Sequence, residues 1–306
     1  MLLQQSNRNV SGIAFSLDFW GVTYFNNFFK KHTNLNPTQY KKTFLELKDY
    51  YLFSLYQDNP NHMAKIFITG STEGIGFLAA QRLLSEGNEV HMHARNRERA
   101  ADLQLKLGVK ATTFIADLSD IRQVLKLSEQ LNYQGKYDAI IHNAGVLSVV
   151  PEVIFKVNVL APYLLTTRVE KPNRLIYLSS GMHRGGKVFK NEFYIQKTSY
   201  SDSKLFITTL ANAFAKQYPD LYINSVDPGW VPTRMGGSGA PDDLQKGYET
   251  QAWLATSKEK EALVSGKYFH HRRQEIANPE TNSPEFQNRL LSECESIIKE
   301  GKYDRH

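Results

Sequence analysis

The sequence predicts an α/β protein, in which a doubly wound parallel sheet of about seven strands follows a small all-helical segment. Beyond residue 62, short β-branched runs alternate with stretches of helical periodicity, which is typical of parallel strands covered by helices on both faces. A glycine-rich turn directly follows the first strand, as in folds that bind dinucleotides. The predicted strands are residues 65–69, 89–94, 112–117, 138–143, 174–179, 222–226 and 267–270.

The clearest boundary in the 306-residue chain lies at residues 59–62, just before Met63. We therefore expect a helical appendage at residues 1–62 and the sheet domain at residues 63–306. In the appendage, apolar residues recur at helical spacing on either side of a turn at Trp20–Gly21. Asn36 followed by Pro37 is typical of a capped helix start, so three short helices are predicted.

Composition restricts the possible classes of protein. Cys294 is the only cysteine, which excludes an intramolecular disulfide framework and a cysteine-based metal cluster and fits a reducing compartment. No run reaches the roughly 18 apolar residues of a membrane span, and the first thirty residues lack the order of a signal peptide. We expect a cytoplasmic protein with no membrane partner and no metal. The net charge of +6 is diffuse and argues little for a nucleic-acid surface.

The glycine-rich turn has the spacing of a dinucleotide-binding site. Gly70 permits a tight turn, Gly74 lets the backbone approach a pyrophosphate, and Gly76 allows close packing of helix on strand. Ser71 and Ile75 lie between them and belong to the same cofactor-binding segment. The arrangement predicts a Rossmann-type fold, whereas the alternative is a glycine-rich structural turn without a ligand.

The end of the second strand indicates which dinucleotide is bound. Folds that prefer NAD usually place an acid here, but this strand is followed by Arg95, with Arg97 close behind. A guanidinium can donate two charge-assisted hydrogen bonds to a 2′-phosphate, so Arg95 favours NADP(H). The alternative is that both arginines are solvated residues at the start of the next helix.

Tyr200 and Lys204 are the candidate proton-transfer pair. Residues four apart share one face of a helix, and of the sixteen tyrosines only Tyr200 has a lysine at that spacing. A phenol ordinarily titrates near 10, and a nearby cation lowers that pKa, which would make proton exchange easier. Taken alone, the pair could be a coincidence of the surface.

Together these motifs resemble the short-chain dehydrogenase/reductase family, most of all its retinol-dehydrogenase-like and ketoreductase-like members, from residue 63 almost to the end. The resemblance implies that Tyr200 gives a proton to the substrate oxygen, while Lys204 lowers its pKa and holds the ribose. It implies that Ser180 polarises the substrate oxygen, with Ser179 as the alternative, and that Asn158 organises a water that resupplies protons. Asn158 could instead make a purely structural bond to a helix carbonyl.

The resemblance also implies further cofactor contacts. Asp117 and Leu118 would hold the adenine, although Asp117 alone is equally consistent with a helix N-cap. The remaining implied contacts follow the fourth and sixth strands: Asn143, Ala144, Gly145, Pro228, Gly229, Val231 and Thr233. Residues 234–241 would form a mobile lid. A largely apolar pocket is expected from Trp230, Met235, Phe189, Phe193 and Tyr194.

The implied reaction is hydride transfer between NADP(H) and a carbonyl or alcohol carbon of a small, largely apolar molecule. The identity of the substrate and the direction of the reaction stay open. So does the oligomeric state, because residues 166–172 are shorter than the family's dimerising helix would require.

Residues 10–43 resemble the second helix-turn-helix of AraC-type transcription regulators, although Asp18 and Asn34 stand where that family usually has Gly. Three interpretations remain: a DNA-binding module, a remnant attached to the enzyme, or a joined fragment of an upstream gene. DNA binding is the less favoured, since one such unit makes few phosphate contacts. The alternative function is therefore an NADPH-sensing DNA-binding regulator.

Overall fold

The computed structural model describes residues 22–33, 36–39, 63–107, 112–189 and 195–299. The chain divides into two compact units, Met1–His62 and Met63–His306, and each is described by itself.

The described part of the first unit is helical. Helix α1 is Val22–Thr33, and residues 37–39 begin another helix. Asn36 caps this second helix as predicted: its Oδ1 accepts from the backbone N–H of Gln39 (2.8 Å), and Gln39 Oε1 accepts from that of Asn36 (3.1 Å). The predicted helix before Trp20–Gly21 and that turn lie outside the described residues, as do residues 40–43 of the helix-turn-helix resemblance.

The second unit contains an eight-stranded sheet with the spatial order β3-β2-β1-β4-β5-β6-β7-β8. The strands are β1 Lys65–Ile68, β2 Glu89–Ala94, β3 Thr112–Ile115, β4 Ala139–His142, β5 Arg174–Leu178, β6 Tyr222–Asp227, β7 Lys267–His270 and β8 Arg273–Glu275. All neighbours are parallel except β7 and β8. The seven predicted strands and the doubly wound α/β fold are confirmed. The unpredicted β8 is three residues long and fully exposed, so it carries no apolar pattern.

Helices cover both faces of this sheet. They are α2 Gly74–Ser85, α3 Arg97–Leu107, α4 Ile121–Tyr133, α5 Pro151–Phe155, α6 Ala161–Arg168, α7 Tyr200–Gln217, α8 Leu244–Thr256 and α9 Pro284–Lys299, with a π-helical turn Lys156–Leu160 between α5 and α6. Short 3₁₀ turns occur at Gly181–Gly185, Ile195–Lys197 and Pro279–Asn282.

Alternate residues of each strand enter two separate cores. Ile140, Leu175 and Ile223 pack with residues of α4, α6, α7 and α9 on one face. Ile141 and Val226 pack with residues of α2 and α8 on the other. Because successive side chains of a strand point to opposite faces, this assignment also fixes where polar residues at the strand ends are directed.

Candidate active site

The glycine turn between β1 and α2 has the geometry that its spacing predicts. Gly70 (φ +63°) and Gly74 (φ +60°) adopt left-handed backbone conformations that favour glycine. A Cβ on Gly70 would lie 2.8 Å from Ala144 Cα, and one on Gly76 would lie 2.7 Å from the carbonyl oxygen of Gly70. The neighbouring backbone therefore lies too close to Gly70 and Gly76 for either residue to carry a side chain.

The glycine turn approaches the loop after β6 at Gly74. The nearest atom to a Cβ built on Gly74 would be Thr233 Cγ2, at 3.8 Å, which is ordinary van der Waals contact. Gly74 begins α2, and the first N–H groups of a helix have no partner within the helix and favour an anion. The structure thus brings the predicted residues Gly74 and Thr233 together at the N-terminus of α2.

Asn143 and Ala144 hold the glycine turn from the end of β4. Asn143 Nδ2 donates to the carbonyl oxygens of Thr69 and Gly70 (3.0 Å each), and the backbone N–H of Ala144 donates to Thr69 Oγ1 (3.0 Å). Ser71, predicted as a cofactor contact, is fully buried, and its hydroxyl donates to the carbonyl of Ile68 (3.0 Å). The Ser71 side chain therefore stabilises the turn from beneath.

His93, which sequence reasoning missed, connects this turn to the end of β3. Its Nδ1 accepts from the backbone N–H of Gly70 (3.0 Å), so Nε2 carries the proton and donates to the carbonyl of Ala116 (2.8 Å). Burial lowers the pKa of His93 to about 4, which keeps the ring neutral at physiological pH. A histidine in an apolar strand, two residues before Arg95, was the only signal in the sequence.

Arg95 and Asp117 are brought together at the edge of the predicted adenosine site. Arg95 Nε donates to Asp117 Oδ2 (3.0 Å), while the arginine side chain remains 64% exposed. Burial raises the pKa of Asp117, but hydrogen bonds from Ser119 and Arg95 outweigh it and lower the pKa overall. Asp120, not Asp117, caps α4, and the side chain of Leu118 lies in the core.

Tyr200 is the first residue of α7, and its orientation depends on the helix cap. Ser199 Oγ accepts from the backbone N–H of Asp202 (3.2 Å), and Asp202 Oδ2 accepts from that of Ser199 (2.9 Å). The side chain of Ser180 lies close enough to the Tyr200 phenol to lower its pKa. Lys204 Nζ lies 5.4 Å from the centre of the Tyr200 ring and donates to the carbonyl of Leu178 (2.7 Å).

The ionisation of this pair differs from the sequence-based expectation. Burial raises the pKa of Tyr200 to about 12, the Ser180 hydrogen bond lowers it, and the Asp227 charge raises it. The pKa of the phenol thus lies above its ordinary value, not below it, because desolvation dominates. Burial also lowers the pKa of Lys204 to about 8, against an opposing effect of Asp227.

The two serines at the end of β5 have different surroundings. The hydroxyl of Ser179 is buried between Thr208 Oγ1 (2.7 Å) and the carbonyl oxygen of Lys204 (3.3 Å). Ser180 caps the following 3₁₀ turn, accepting from the N–H of Met182 (3.2 Å), and is the serine whose side chain lowers the pKa of Tyr200.

Asn158 lies in the π-helical turn and clamps the loop that follows β4. Its Oδ1 accepts from the backbone N–H of Val146 (2.8 Å), and its Nδ2 donates to the carbonyl of Val146 (2.9 Å) and to Ser203 Oγ (3.0 Å). A Cβ on Gly145 would lie 3.4 Å from Lys204 Nζ and 3.6 Å from Asn158 Oδ1, so Gly145 lies beside both. The Asn158 side chain therefore bonds to the loop backbone at Val146 and to Ser203 of α7, and not to a carbonyl of its own helix as the structural alternative expected.

The loop after β6 contains the implied cofactor contacts Pro228, Gly229 and Val231. Gly229 (φ +79°) opens it, Val231 is buried, and the carbonyl oxygen of Pro228 would lie 3.1 Å from a Cβ on Gly247 of α8. Trp230 is 60% exposed, and its Nε1 donates to the carbonyl of Gly236 (2.7 Å).

The aromatic residues expected in the pocket are only partly described. Phe189 packs against Phe206 (ring centres 5.7 Å apart) at the edge of the α7 core. Phe193 and Tyr194 lie outside the described residues. Met235 is exposed on the same loop as Trp230.

Asp227 is the second residue that sequence reasoning missed. It ends β6, is only 7% exposed, and accepts from the backbone N–H of Gly229 with Oδ1 (3.0 Å). Its charge acts on both Tyr200 and Lys204. An acid closing an apolar strand before Pro-Gly was the available signal.

The fold and the site define a dinucleotide-binding oxidoreductase. The family model for short chain dehydrogenases matches residues 64–243. A short-chain dehydrogenase of Penicillium rubens, chyC, is 39% identical over 254 residues, which cover 77% of this chain and 97% of the relative. The chain therefore belongs to the short-chain dehydrogenase family and is a nicotinamide-dependent oxidoreductase that acts on small molecules.

Two more distant similarities are to a human relative and to a solved structure that shares the fold. Human retinol dehydrogenase 13 is 28% identical over 281 residues, which cover 76% of this chain and 84% of the relative. The structure of the RhlG/NADP active-site complex from Pseudomonas aeruginosa has a TM-score of 0.55 at 22% identity, covering 68% of this chain and 95% of that one. None of the helices in the described part of the chain has the length and apolar character that a membrane crossing requires.

Proposed function

We propose that this protein is an NADP(H)-dependent oxidoreductase that interconverts a carbonyl and an alcohol on a small, largely apolar substrate, with Tyr200 transferring the proton. The observation that carries the proposal is the convergence of Ser180, Tyr200 and Lys204 at the carboxyl end of β5. A Cβ on Gly145 would lie 3.4 Å from Lys204 Nζ, and the preceding Ala144 packs on the glycine turn. Ligands of open parallel sheets bind at this edge. When bound, NADPH supplies the hydride.

Each residue has a role that its surroundings support. With a pKa near 12, Tyr200 is protonated at neutral pH and is suited to give a proton to the developing alkoxide. Ser180 lies near the phenol and can donate to the same substrate oxygen. Lys204 provides a positive charge beside the phenol and a donor for the ribose, while Asn158 fixes the loop and helix around that lysine.

The substrate side of the proposal is supported by an apolar rim. Met182, Trp230 and Met235 are exposed next to the site, on the turn after Ser180 and on the loop after β6. Human retinol dehydrogenase 13 is named for an apolar alcohol substrate. The alternative of an NADPH-sensing DNA-binding regulator gains no support from the comparisons or the structure.

Turnover by Tyr200→Phe tests the mechanism. We expect NADPH oxidation with some members of a panel of aldehydes, ketones and quinones, and a loss of about 10²-fold to 10⁴-fold in the variant. NADPH affinity should change little, because only one hydroxyl is removed. Stopped-flow kinetics with a deuterated cofactor establishes whether chemistry limits the rate. If the variant keeps more than about a tenth of wild-type turnover under that condition, the proton comes from another group.

A further inference from the structure

Asp227 is a buried carboxylate that the proposed chemistry leaves without a role. Its side chain is 9% exposed, and burial of a charge is costly unless the charge is paired or hydrogen-bonded. A purely structural acceptor for the Gly229 N–H would not need a charge, because a neutral amide oxygen would serve.

The strand pattern directs this carboxylate toward α7. Ile223 of β6 packs in the core with Leu205 and Phe206 of α7, whereas Val226 belongs to the opposite core. Asp227 shares the face of Ile223 because residues two and four apart point the same way. In agreement, Asp227 Oδ2 would lie 3.1 Å from a Cβ built on Gly181, next to Ser180.

Lys204 is the buried cation on the facing helix. Its Nζ is held at the carbonyl oxygen of Leu178 (2.7 Å), and Leu178 lies opposite Val226 in the register of β5 with β6. The ammonium therefore lies at the end of β5 and the Asp227 carboxylate at the end of the neighbouring strand β6, and both side chains are buried.

The other ionisable groups around Asp227 come from three further elements. On the 3₁₀ turn, His183 is neutral in the structure, since Nδ1 donates to the carbonyl of Ser180 (2.7 Å) and Nε2 accepts from the N–H of Asn278 (3.0 Å). Arg184 of the same turn pairs with Glu275 of β8 (3.0 Å). On β7, His270 Nδ1 lies 3.5 Å from Asp227 Oδ2.

Asp242 and His271 lie against the adjacent Gly229, and two phenols also belong to this environment, Tyr268 on β7 and Tyr200 on α7. Burial raises the pKa of each, and the Asp227 charge raises both further, so both are neutral at physiological pH. Of the cations named, Lys204 is the one that is buried on the face toward which Asp227 points.

We propose that Asp227 is a positioning residue that keeps Lys204 in its ammonium form and links that charge to the loop opening at Gly229. The expected effect of Asp227 on turnover rests on the proposed function, whereas its effect on the charge of Lys204 does not. Desolvation lowers the pKa of Lys204 to about 8, and Asp227 opposes this shift. Without the carboxylate, Lys204 would lose its proton at a lower pH, and the positive charge beside Tyr200 would disappear within the physiological range.

Asp227→Asn tests this proposal, because the amide keeps the shape and an acceptor for the Gly229 N–H but removes the charge. Lys204 is titrated by carbon-13 NMR in the full chain with labelled lysine, and its resonance is assigned with Lys204→Arg. We expect a midpoint near 8 in the wild type and one lower by about one pH unit or more in the variant. The alkaline limb of turnover should move by the same amount, which a role confined to folding would not produce.

Asp242→Asn is the matched control. Asp242 belongs to the same loop region, and its Oδ2 accepts from the backbone N–H of Trp230 (2.6 Å). We expect the Lys204 midpoint to stay at the wild-type value in this control. Equal midpoints in the wild type and Asp227→Asn, or an equal shift in Asp242→Asn, would overturn the proposal. If Asp227→Asn does not fold, Asp227→Ser removes the same charge and is judged by the same titration.

The titration also separates this inference from the proposed function, since it needs neither substrate nor turnover. If Asp227→Asn shifts the Lys204 midpoint but the protein has no carbonyl activity, the role of Asp227 stands and the proposed function is wrong. If the protein turns over carbonyl substrates but the midpoint does not move, the proposed function stands and the role of Asp227 is wrong.

Discussion

At the scale of single residues, the two positions that matter most beyond the motifs are buried and ionisable. His93 uses both ring nitrogens to join the glycine turn to the end of β3. Asp227 accepts from the backbone N–H of Gly229, and its charge acts on Lys204 of α7. In both cases the side chain lies far in sequence from the residues on which it acts.

His93→Leu should weaken the cofactor site as well as the fold. The Gly70 N–H and the Ala116 carbonyl lose their partners, which costs about 1–3 kcal/mol for each buried group left unpaired. We expect a lower denaturation midpoint in urea and a several-fold higher Kd for NADPH in a fluorescence titration.

His91→Leu is the matched control for this change. His91 is equally buried on β2 but bonds to Tyr137 (2.7 Å) and Glu89 (2.7 Å), away from the glycine turn. It should lose stability while keeping the Kd. Equal effects of both variants on the Kd would show that His93 has only a general structural role.

Arg95 provides the test of cofactor preference. Its guanidinium is exposed and paired with Asp117 at one edge, so its remaining donors are free to meet a 2′-phosphate. We predict a Kd for NADPH at least about tenfold below that for NADH, equivalent to about 1.4 kcal/mol. Arg95→Asp should reverse the order, because an acid repels the phosphate and accepts from a ribose hydroxyl. Equal constants in the wild type would exclude the assignment.

At the scale of elements, the start of α7 links local stability to catalysis. Tyr200 is the first helical residue, directly after the capping box of Ser199 and Asp202. Asp202 Oδ1 also accepts from the backbone N–H of Lys187 (2.7 Å), which attaches the preceding segment to the helix. Fraying of this turn would therefore displace the phenol from Ser180.

Ser199→Ala should lower both stability and turnover. Loss of an N-cap hydroxyl typically costs about 0.5–2 kcal/mol, and here the unravelled residue is Tyr200. We expect kcat at saturating NADPH to fall several-fold, together with a lower melting temperature. Asp120→Ala removes the cap of α4 and should lower the melting temperature without reducing kcat. A normal kcat in Ser199→Ala would show that Tyr200 is held by its neighbours and not by the helix.

At the scale of the whole molecule, buried neutral histidines make the sheet domain sensitive to acid. Burial lowers the pKa of His93 to about 4 and that of His142 to about 3. In the unfolded chain both titrate near 6.5, so the unfolded state binds more protons as the pH falls below that value. The stabilisation is present above pH 6.5 and is lost as the pH falls toward the folded pKa values.

The expected loss is large relative to ordinary stability. Each histidine should remove about 2 kcal/mol between pH 7 and pH 5, out of a typical total of about 5–15 kcal/mol. Urea denaturation of the wild type at the two pH values measures the sum. The His93→Leu variant should lose less unfolding free energy between pH 7 and pH 5, since one of the two buried histidines is absent. Equal stability of the wild type at pH 5 and pH 7 would contradict the burial of these rings as neutral bases.

The sequence by itself determined the features that depend on local spacing. Seven strands were recognisable because buried parallel strands are apolar runs with β-branched residues, and β2 and β7 agree with their predicted limits. The glycine turn and the Tyr200–Lys204 pair were recognisable because their geometry is fixed by neighbours within seven residues. The helix cap at Asn36 was predictable for the same reason, because its partner Gln39 is three residues away.

Only the tertiary structure decided what depends on contacts between distant segments. It buried the Ser179 hydroxyl against Thr208 and left Ser180 to act on the pKa of Tyr200. It also packed Phe189 against the core and, through burial, reversed the expected direction of the Tyr200 pKa shift. Burial, partner identity and electric field arise when elements far apart in the chain pack together, and no local pattern contains them. For this reason His93 and Asp227 emerged as parts of the site only once β2, β6 and α7 were in place.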